Sequence, residues 1–405
     1  MNRPYDAVVV GAGPAGSATA RDIAKAGYRV LLLEEHNGVG RPLHCSGLVT
    51  PRTLELAKVD GKVVVNEIRG ALVYPPSGSP LSIGGDGVRA LAVDRTRFDE
   101  ALSAQAQSAG AELLLSTRFL AFERKDGLVQ VYAERRGEQA SFSTKILIGA
   151  DGAQSKVARQ LGVHSLRGTV WGLSAEVRVK EAPADHVILF MDNTLAPGWF
   201  AWMIPLGDGR ARVGLGGVKR VKPAESLGLL ADRFPAYFHN GEPMGFTAAS
   251  MPLWRPLRPY SDNVLLVGDA ARQVKPTSGG GIYVGLVGAR HAARSAIEAL
   301  EREDFSQSFL SRYNKSFMAD LGGELKRGAD LHRLFATLTN KQLDKLLTRL
   351  RSDRLQRIIL SHGNIDFPSG LVYELFKAAP SLATFVRVPP RFPAAWLPWR
   401  RRRRA

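Results

Sequence analysis

The sequence predicts an α/β protein in which a dinucleotide-binding βαβ domain is interrupted by an antiparallel β-sheet and followed by a helical region. Three observations carry that prediction. Gly11-Ala12-Gly13-Pro14-Ala15-Gly16 stands between an apolar run and a run of small residues near the start of the chain. A second glycine-rich segment, Gly268-Asp269-Ala270-Ala271 followed by Lys275-Pro276-Thr277-Ser278-Gly279-Gly280-Gly281, lies far downstream. Between about 166 and 256 apolar residues alternate as in strands, and beyond Gly281 they recur at helical spacing.

In chain order, Tyr5–Val10 reads as a buried strand, 15–26 as a helix and 29–33 as a second buried strand, which puts the first glycines in a strand-to-helix turn. There Gly11 permits the tight bend, Gly13 lets the backbone approach a pyrophosphate, and Gly16 lets the helix pack closely. Pro14 and Ala15 open the helix, whose N-terminal N–H groups and partial positive charge attract phosphate. Glu34, with Glu35 beside it, closes the second strand where a carboxylate accepts ribose hydroxyls and repels a 2′-phosphate. Residues 52–87 read as short strands and turns, punctuated by Pro75, Pro76, Gly78, Pro80, Gly84, Gly85 and Gly87. A helix is expected over 98–109 and strands over 112–116, 128–133 and 145–148, the last running into Gly149-Ala150-Asp151-Gly152. Further strands are expected at 171–179 and 212–216, and an amphipathic helical stretch at 324–360.

These segments divide the chain into a nucleotide domain at 1–165, with an inserted strand and helix segment at about 52–110, and an antiparallel sheet at 166–256. The nucleotide domain resumes at 257–300, a helical region spans 301–390, and a basic aromatic tail closes the chain at 391–405. With 405 residues, 45% hydrophobic and 23% charged, the composition is that of a globular protein with a sizeable core. The single cysteine, Cys45, excludes an intramolecular disulfide and a cysteine metal cluster, and no metal site is expected. Met1 runs almost directly into the first strand and no apolar stretch approaches a membrane span, so a cytoplasmic chain is expected. The net charge of +17 includes Arg400 to Arg404, preceded by Phe392, Trp396 and Trp399. Indoles beside clustered arginines suit an anionic membrane surface, which predicts peripheral attachment at the cytoplasmic face; a solvated tail is the alternative. No nucleic-acid recognition module is visible.

The order GAGPAG, the helix opened by Asp94-Arg95-Thr96-Arg97-Phe98-Asp99, then GADG and GDAA resembles the FAD-dependent oxidoreductases of the para-hydroxybenzoate hydroxylase type. Within that superfamily the chain looks most like the geranylgeranyl reductase family. The narrower likeness rests on His44-Cys45-Ser46-Gly47, on Phe200-Ala201-Trp202-Met203-Ile204-Pro205 with Gly214-Leu215-Gly216, and on the segment from Lys275 to Ile282.

The resemblance implies a Rossmann-type FAD-binding domain, an inserted antiparallel β-sheet substrate domain and a C-terminal helical region. It implies that Asp269 bonds the ribityl hydroxyls, that Gly268, Pro276, Gly279, Gly280, Gly281 and Ile282 line the flavin, and that Arg95 reaches the phosphate or ribityl region. Asp151 is expected to hold the GADG turn beside the cofactor. A strand carrying Phe200, Trp202 and Ile204 on one face and ended by Pro205 is expected to wall an apolar substrate tunnel. The implied reaction is saturation of carbon–carbon double bonds in a geranylgeranyl or other polyprenyl lipid by hydride from reduced flavin N5 plus a proton. Cys45 and His44 are the candidate catalytic residues near that proton. An aromatic monooxygenase or epoxidase is the competing reading, and a flavin-dependent halogenase a more distant one, since Trp202-Met203-Ile204-Pro205 also resembles part of the halogenase signature. No second GxGxxG marks a separate nicotinamide domain, which leaves NAD(P)H or an acidic reduced ferredoxin as electron donor.

Overall fold

The computed structural model describes residues 3–42, 45–180, 182–218, 223–238 and 245–384. His44 and the tail at 391–405 lie outside the described residues.

Five parallel strands form the centre of an eight-stranded sheet, in the order Val264–Leu266, Glu138–Gly149, Tyr5–Val10, Val30–Leu33 and Glu112–Leu114. Tyr5–Val10 and Val30–Leu33 are continuous apolar runs because both faces are covered by protein. Val10 is in register with both Leu33 and Gly149, so Gly11, Glu34 and Ala150 all emerge at one carboxyl edge. Helices Pro14–Lys25, Arg95–Ser108 and Ile282–Arg302 pack on one face, around Ile23, Phe98, Leu102, Val284 and Ala289. The helix expected from 98 starts at Arg95, because the Asp94 side chain caps the Arg97 N–H. Strand Thr117–Lys125, which the sequence reading left out, forms a hairpin with Leu128–Arg135 and extends the sheet through Glu138–Gly149.

The second sheet has seven strands in the order Phe246–Pro252, Thr169–Arg178, Arg210–Gly217, Ala201–Gly207, His186–Phe190, Gly70–Tyr74 and Leu81–Gly84. Two of these come from the segment at 52–110, and Gly70–Tyr74 pairs in parallel with His186–Phe190. One face packs on Leu227 and Leu230 of helix Pro223–Arg233 through Leu173, Ala175, Met203, Val213 and Leu215. The opposite face carries Val170, Gly172, Trp202, Arg212, Gly214, Gly216 and Met251, in keeping with strand alternation. Strand Ala201–Gly207 continues through Pro205, which pairs with Ala211, and a bulge follows before Gly207. The expectation that Pro205 ends the strand is therefore corrected: the irregularity next to it absorbs its missing donor.

Among the described residues, five α-helices follow the long helix Ile282–Arg302: Gln307–Asp320, Gly322–Phe335, Asn340–Leu350, Asp353–His362 and Pro368–Ala378. No helix among the described residues is long and apolar enough to cross a membrane.

Candidate active site

The carboxyl edge of the parallel sheet is built for a phosphate-bearing ligand. A Cβ on Gly11 would lie 2.4 Å from the Ala150 carbonyl oxygen, and Gly11 has φ +101°, so no other residue fits the bend. A Cβ on Gly16 would lie 1.9 Å from the Gly11 oxygen. A Cβ on Gly13 would meet nothing within 4 Å, so the backbone there borders open space that a ligand can enter. Helix Pro14–Lys25 begins at that point with no side-chain cap, leaving its first N–H groups for an anion. Glu34 is buried, accepts a 3.0 Å hydrogen bond from the Ala12 N–H and pairs with His36, whereas Glu35 is exposed. Gly268, at φ +66°, sits where a Cβ would be 2.9 Å from Ala15 Cβ, so the two glycine segments touch.

Asp269 follows that contact. Its side chain makes no hydrogen bond among the described residues, and burial pushes its carboxyl up to about 6, with Arg95 opposing the shift. An unspent, desolvated carboxylate beside an open glycine cradle fits a ligand rich in hydroxyl donors. Arg95 is buried and grips Asp99 through contacts of 2.8 and 2.9 Å one helical turn away. Its guanidinium also reaches Cys45, whose Sγ accepts the Gly47 N–H at 3.4 Å. Asp151 is spent on the protein: it accepts Ser155 Oγ at 2.5 Å and the Lys156 and Val157 N–H groups at 2.7 and 3.1 Å, capping helix Lys156–Gln160.

The loop at 275–281 approaches from the other side, ahead of the N-terminus at Ile282. It closes on itself through Lys275 N–H to Gly280 O at 3.1 Å and Gly279 N–H to Lys275 O at 2.9 Å. The Gly279 N–H is thus committed inside the loop. Each of these glycines has protein where a side chain would begin. A Cβ on Gly279 would meet Met251 Sδ at 2.5 Å, one on Gly280 Lys275 Cε at 2.9 Å, and one on Gly281 Asp269 Oδ1 at 2.9 Å. Pro276 packs near Gly328 of helix Gly322–Phe335.

Facing this loop is the second sheet, where the sequence reading missed Trp199. Its indole is buried, stacks on Phe200 with centroids 5.0 Å apart, and nests over Gly216, where a Cβ would lie 2.4 Å away. Trp202 nests in the same way over Gly214, also 2.4 Å from a Cβ there. The spacing Gly214-Leu215-Gly216 therefore makes room on one strand face for two indoles, a signal visible in the sequence once Trp199 is paired with it. Both indole N–H groups are buried without a partner among the described residues. His332, on helix Gly322–Phe335, sits edge-on to Trp199 at 5.0 Å, and burial pushes its imidazole down to about 4. Arg212 ties this face to the Cys45 segment, donating to Ser46 O at 3.2 Å and Val93 O at 2.8 Å.

Two expected wall residues sit elsewhere. Ile204 shares the Trp202 face but is buried in a cluster with Ile68, Ala90, Ala92 and Val187, where it packs core rather than cleft. Pro205 lies on the opposite face, because successive strand residues alternate.

Comparison with known proteins gives concordant likenesses. The family described as "FAD binding domain" matches residues 4–214. The chain is 34% identical over 370 residues to digeranylgeranylglycerophospholipid reductase 2 of Methanopyrus kandleri, covering 88% of this chain and 92% of that one. A geranylgeranyl bacteriochlorophyll reductase-like protein of Thermoplasma acidophilum superposes with a TM-score of 0.82 at 25% identity, over 94% of this chain and 99% of the other. The flavin-dependent halogenase CmlS superposes with a TM-score of 0.67 at 19% identity, over 91% of this chain and 73% of its own, a likeness of fold alone.

Proposed function

The chain belongs to the FAD-binding family that includes the digeranylgeranylglycerophospholipid reductases, and from that premise we propose that it saturates carbon–carbon double bonds in a polyprenyl chain carried by a lipid. FAD is the cofactor, and when bound and reduced it supplies the hydride. The open backbone at Gly13 and the N-terminus at Pro14 and Ala15 would receive its pyrophosphate, and Glu34 would accept hydroxyls of the adenosine ribose. Asp269 would accept hydroxyls of the ribityl chain, and Arg95 interacts with both Asp269 and Cys45.

The single observation that carries the reading is that Gly279 of the loop at 275–281 borders Trp199 and Met251, while Arg212, on the same sheet face as Trp202, donates to Ser46 and Val93 beside Cys45. The aromatic face strips water from the alkene, at about 0.8 kcal/mol for each methylene it covers. An isolated alkene accepts hydride poorly, so its second carbon must be protonated in step. Cys45, with His44 beside it in sequence and the Arg95 guanidinium next to it, supplies that proton.

The lipid substrate is reached from an anionic membrane surface at the cytoplasmic face. In support, Lys341, Lys345 and Arg349 on one helix and Arg354 and Arg357 on the next are exposed, while Leu343, Leu347, Leu355 and Ile359 of the same helices face inward. The same basic surface accepts an acidic ferredoxin as electron donor, with NAD(P)H as the other donor to be supplied.

Anaerobic incubation of the flavin-loaded protein with a digeranylgeranyl phospholipid and each donor is expected to give products heavier by steps of two hydrogens in mass spectra. Oxygen-dependent addition of an oxygen or a halogen overturns the proposal. Cys45→Ala at matched flavin content is expected to lower turnover at least tenfold, and unchanged turnover removes Cys45 from the mechanism.

A further inference from the structure

Lys275 opens the flavin-side loop, yet its ammonium points away from solvent toward the C-terminal helical region. It contacts Asp366 Oδ1 at 2.8 Å and donates to the Ile365 carbonyl at 3.2 Å. The other oxygen of the same carboxylate accepts Thr50 Oγ1 at 2.6 Å. Thr50 caps helix Pro51–Ala57 and lies five residues beyond Cys45, past the short strand Leu48–Val49. Lys275, Asp366 and Thr50 are each less than a tenth exposed. Asp366 is itself braced, with its N–H donating to Asn364 Oδ1 at 2.9 Å, while the next residue, Phe367, packs edge-on to Tyr283 at 5.9 Å.

One carboxylate from the C-terminal region therefore joins two segments that converge on the candidate site from opposite ends of the chain. A buried cation is costly unless paired, and an unpaired ammonium acts at range in a low-dielectric interior. We infer that Asp366 is a positioning residue that fixes the loop at 275–281 against the Cys45 segment through Lys275 and Thr50, and that its charge cancels that of Lys275 near the site where a flavin would bind. The second half of this inference rests on the reading that the loop at 275–281 flanks a flavin; the first half does not.

The test uses the full chain as wild type, Asp366→Asn and Lys275→Met/Asp366→Asn. Asp366→Asn keeps the shape and leaves Lys275 unpaired, so the reduced, negatively charged flavin is favoured at least tenfold. For a two-electron couple that is a rise of about 30 mV in midpoint potential. The double variant removes both charges and is expected to return the potential to that of the wild type. Amide hydrogen exchange of the flavin-free Asp366→Asn protein is expected to speed up at 45–50 and at 275–281 but not in strand Tyr5–Val10. An unchanged potential, or a shift that persists in the double variant, overturns the electrostatic role. Faster exchange confined to 360–369 overturns the positioning role. A wild-type chain that binds no flavin overturns the functional reading instead, and the exchange measurement still decides the positioning role.

Discussion

The turn at 11–16 and the loop at 275–281 are both rich in glycine, but their glycines are small for different reasons. In the first, Gly11 and Gly16 are pressed against backbone while Gly13 between them borders open space. In the second, Gly279, Gly280 and Gly281 each border protein: Met251 and Trp199, Lys275, and Asp269. The first turn leaves backbone bordering open space, and the second is a loop whose shape is set by side chains from remote parts of the chain. Glycine content alone therefore marks a close approach without saying what approaches.

Four variants probe that contrast. The largest effect is expected from Gly13→Val, which leaves the flavin-free fold intact and lowers FAD affinity at least a hundredfold, about 2.7 kcal/mol, by titration. Gly279→Ala is its counterpart: overpacking against Met251 in a left-handed backbone conformation destabilises the flavin-free protein by about 1–3 kcal/mol in denaturant melts. If Gly13→Val proves the more destabilising of the two in the absence of FAD, the contrast fails.

An intermediate effect is expected at Asp269, which borders Gly281 of the loop and follows Gly268, the residue in contact with Ala15 of the turn. Its folded-state carboxyl titrates near 6, above the unfolded value of 3.8, so the folded state binds that proton more tightly. The stabilising contribution is complete below pH 3.8 and is lost as pH rises through about 6. Hydroxyl donors need the ionised form, so FAD affinity is expected to fall, by roughly tenfold per pH unit at most, below pH 6. Asp269→Asn is expected to remove both dependences, and a pH-independent wild type refutes the assignment. The smallest effect belongs to Ile204→Val, a buried change beside Trp202 on the same strand face: about 1 kcal/mol in stability with FAD affinity and product pattern unchanged.

The nucleotide edge was legible because its parts are local. Gly11, Gly13 and Gly16 act within one turn, and Tyr5–Val10 and Val30–Leu33 declare their burial through unbroken apolar runs. The Rossmann-type architecture with an antiparallel insert and helical end followed from those runs and from the resemblance they led to. The substrate side was legible only in part. Trp202 was visible as one half of a motif, but Trp199 acquires meaning only when Gly216 is seen beneath it, across a strand pairing. Pro205 reads as a stop, and the bulge beside it let the strand run on. Lys275 and Asp366 are 91 positions apart, and neither carries a local pattern that announces a buried pair.

The parallel pairing of Gly70–Tyr74 with His186–Phe190 bears on how this protein can be taken apart. Because the second sheet draws strands from both sides of Glu138–Gly149, the polypeptide passes back and forth between the two sheets before either is complete. Neither sheet is a cassette. A chimera that exchanges residues 166–256 alone strands Gly70–Tyr74 and Leu81–Gly84 without their partner, so grafting a new substrate preference requires moving both segments together. The same interleaving makes productive folding depend on contacts between distant stretches of chain, which slows it relative to a protein whose modules mature one after the other.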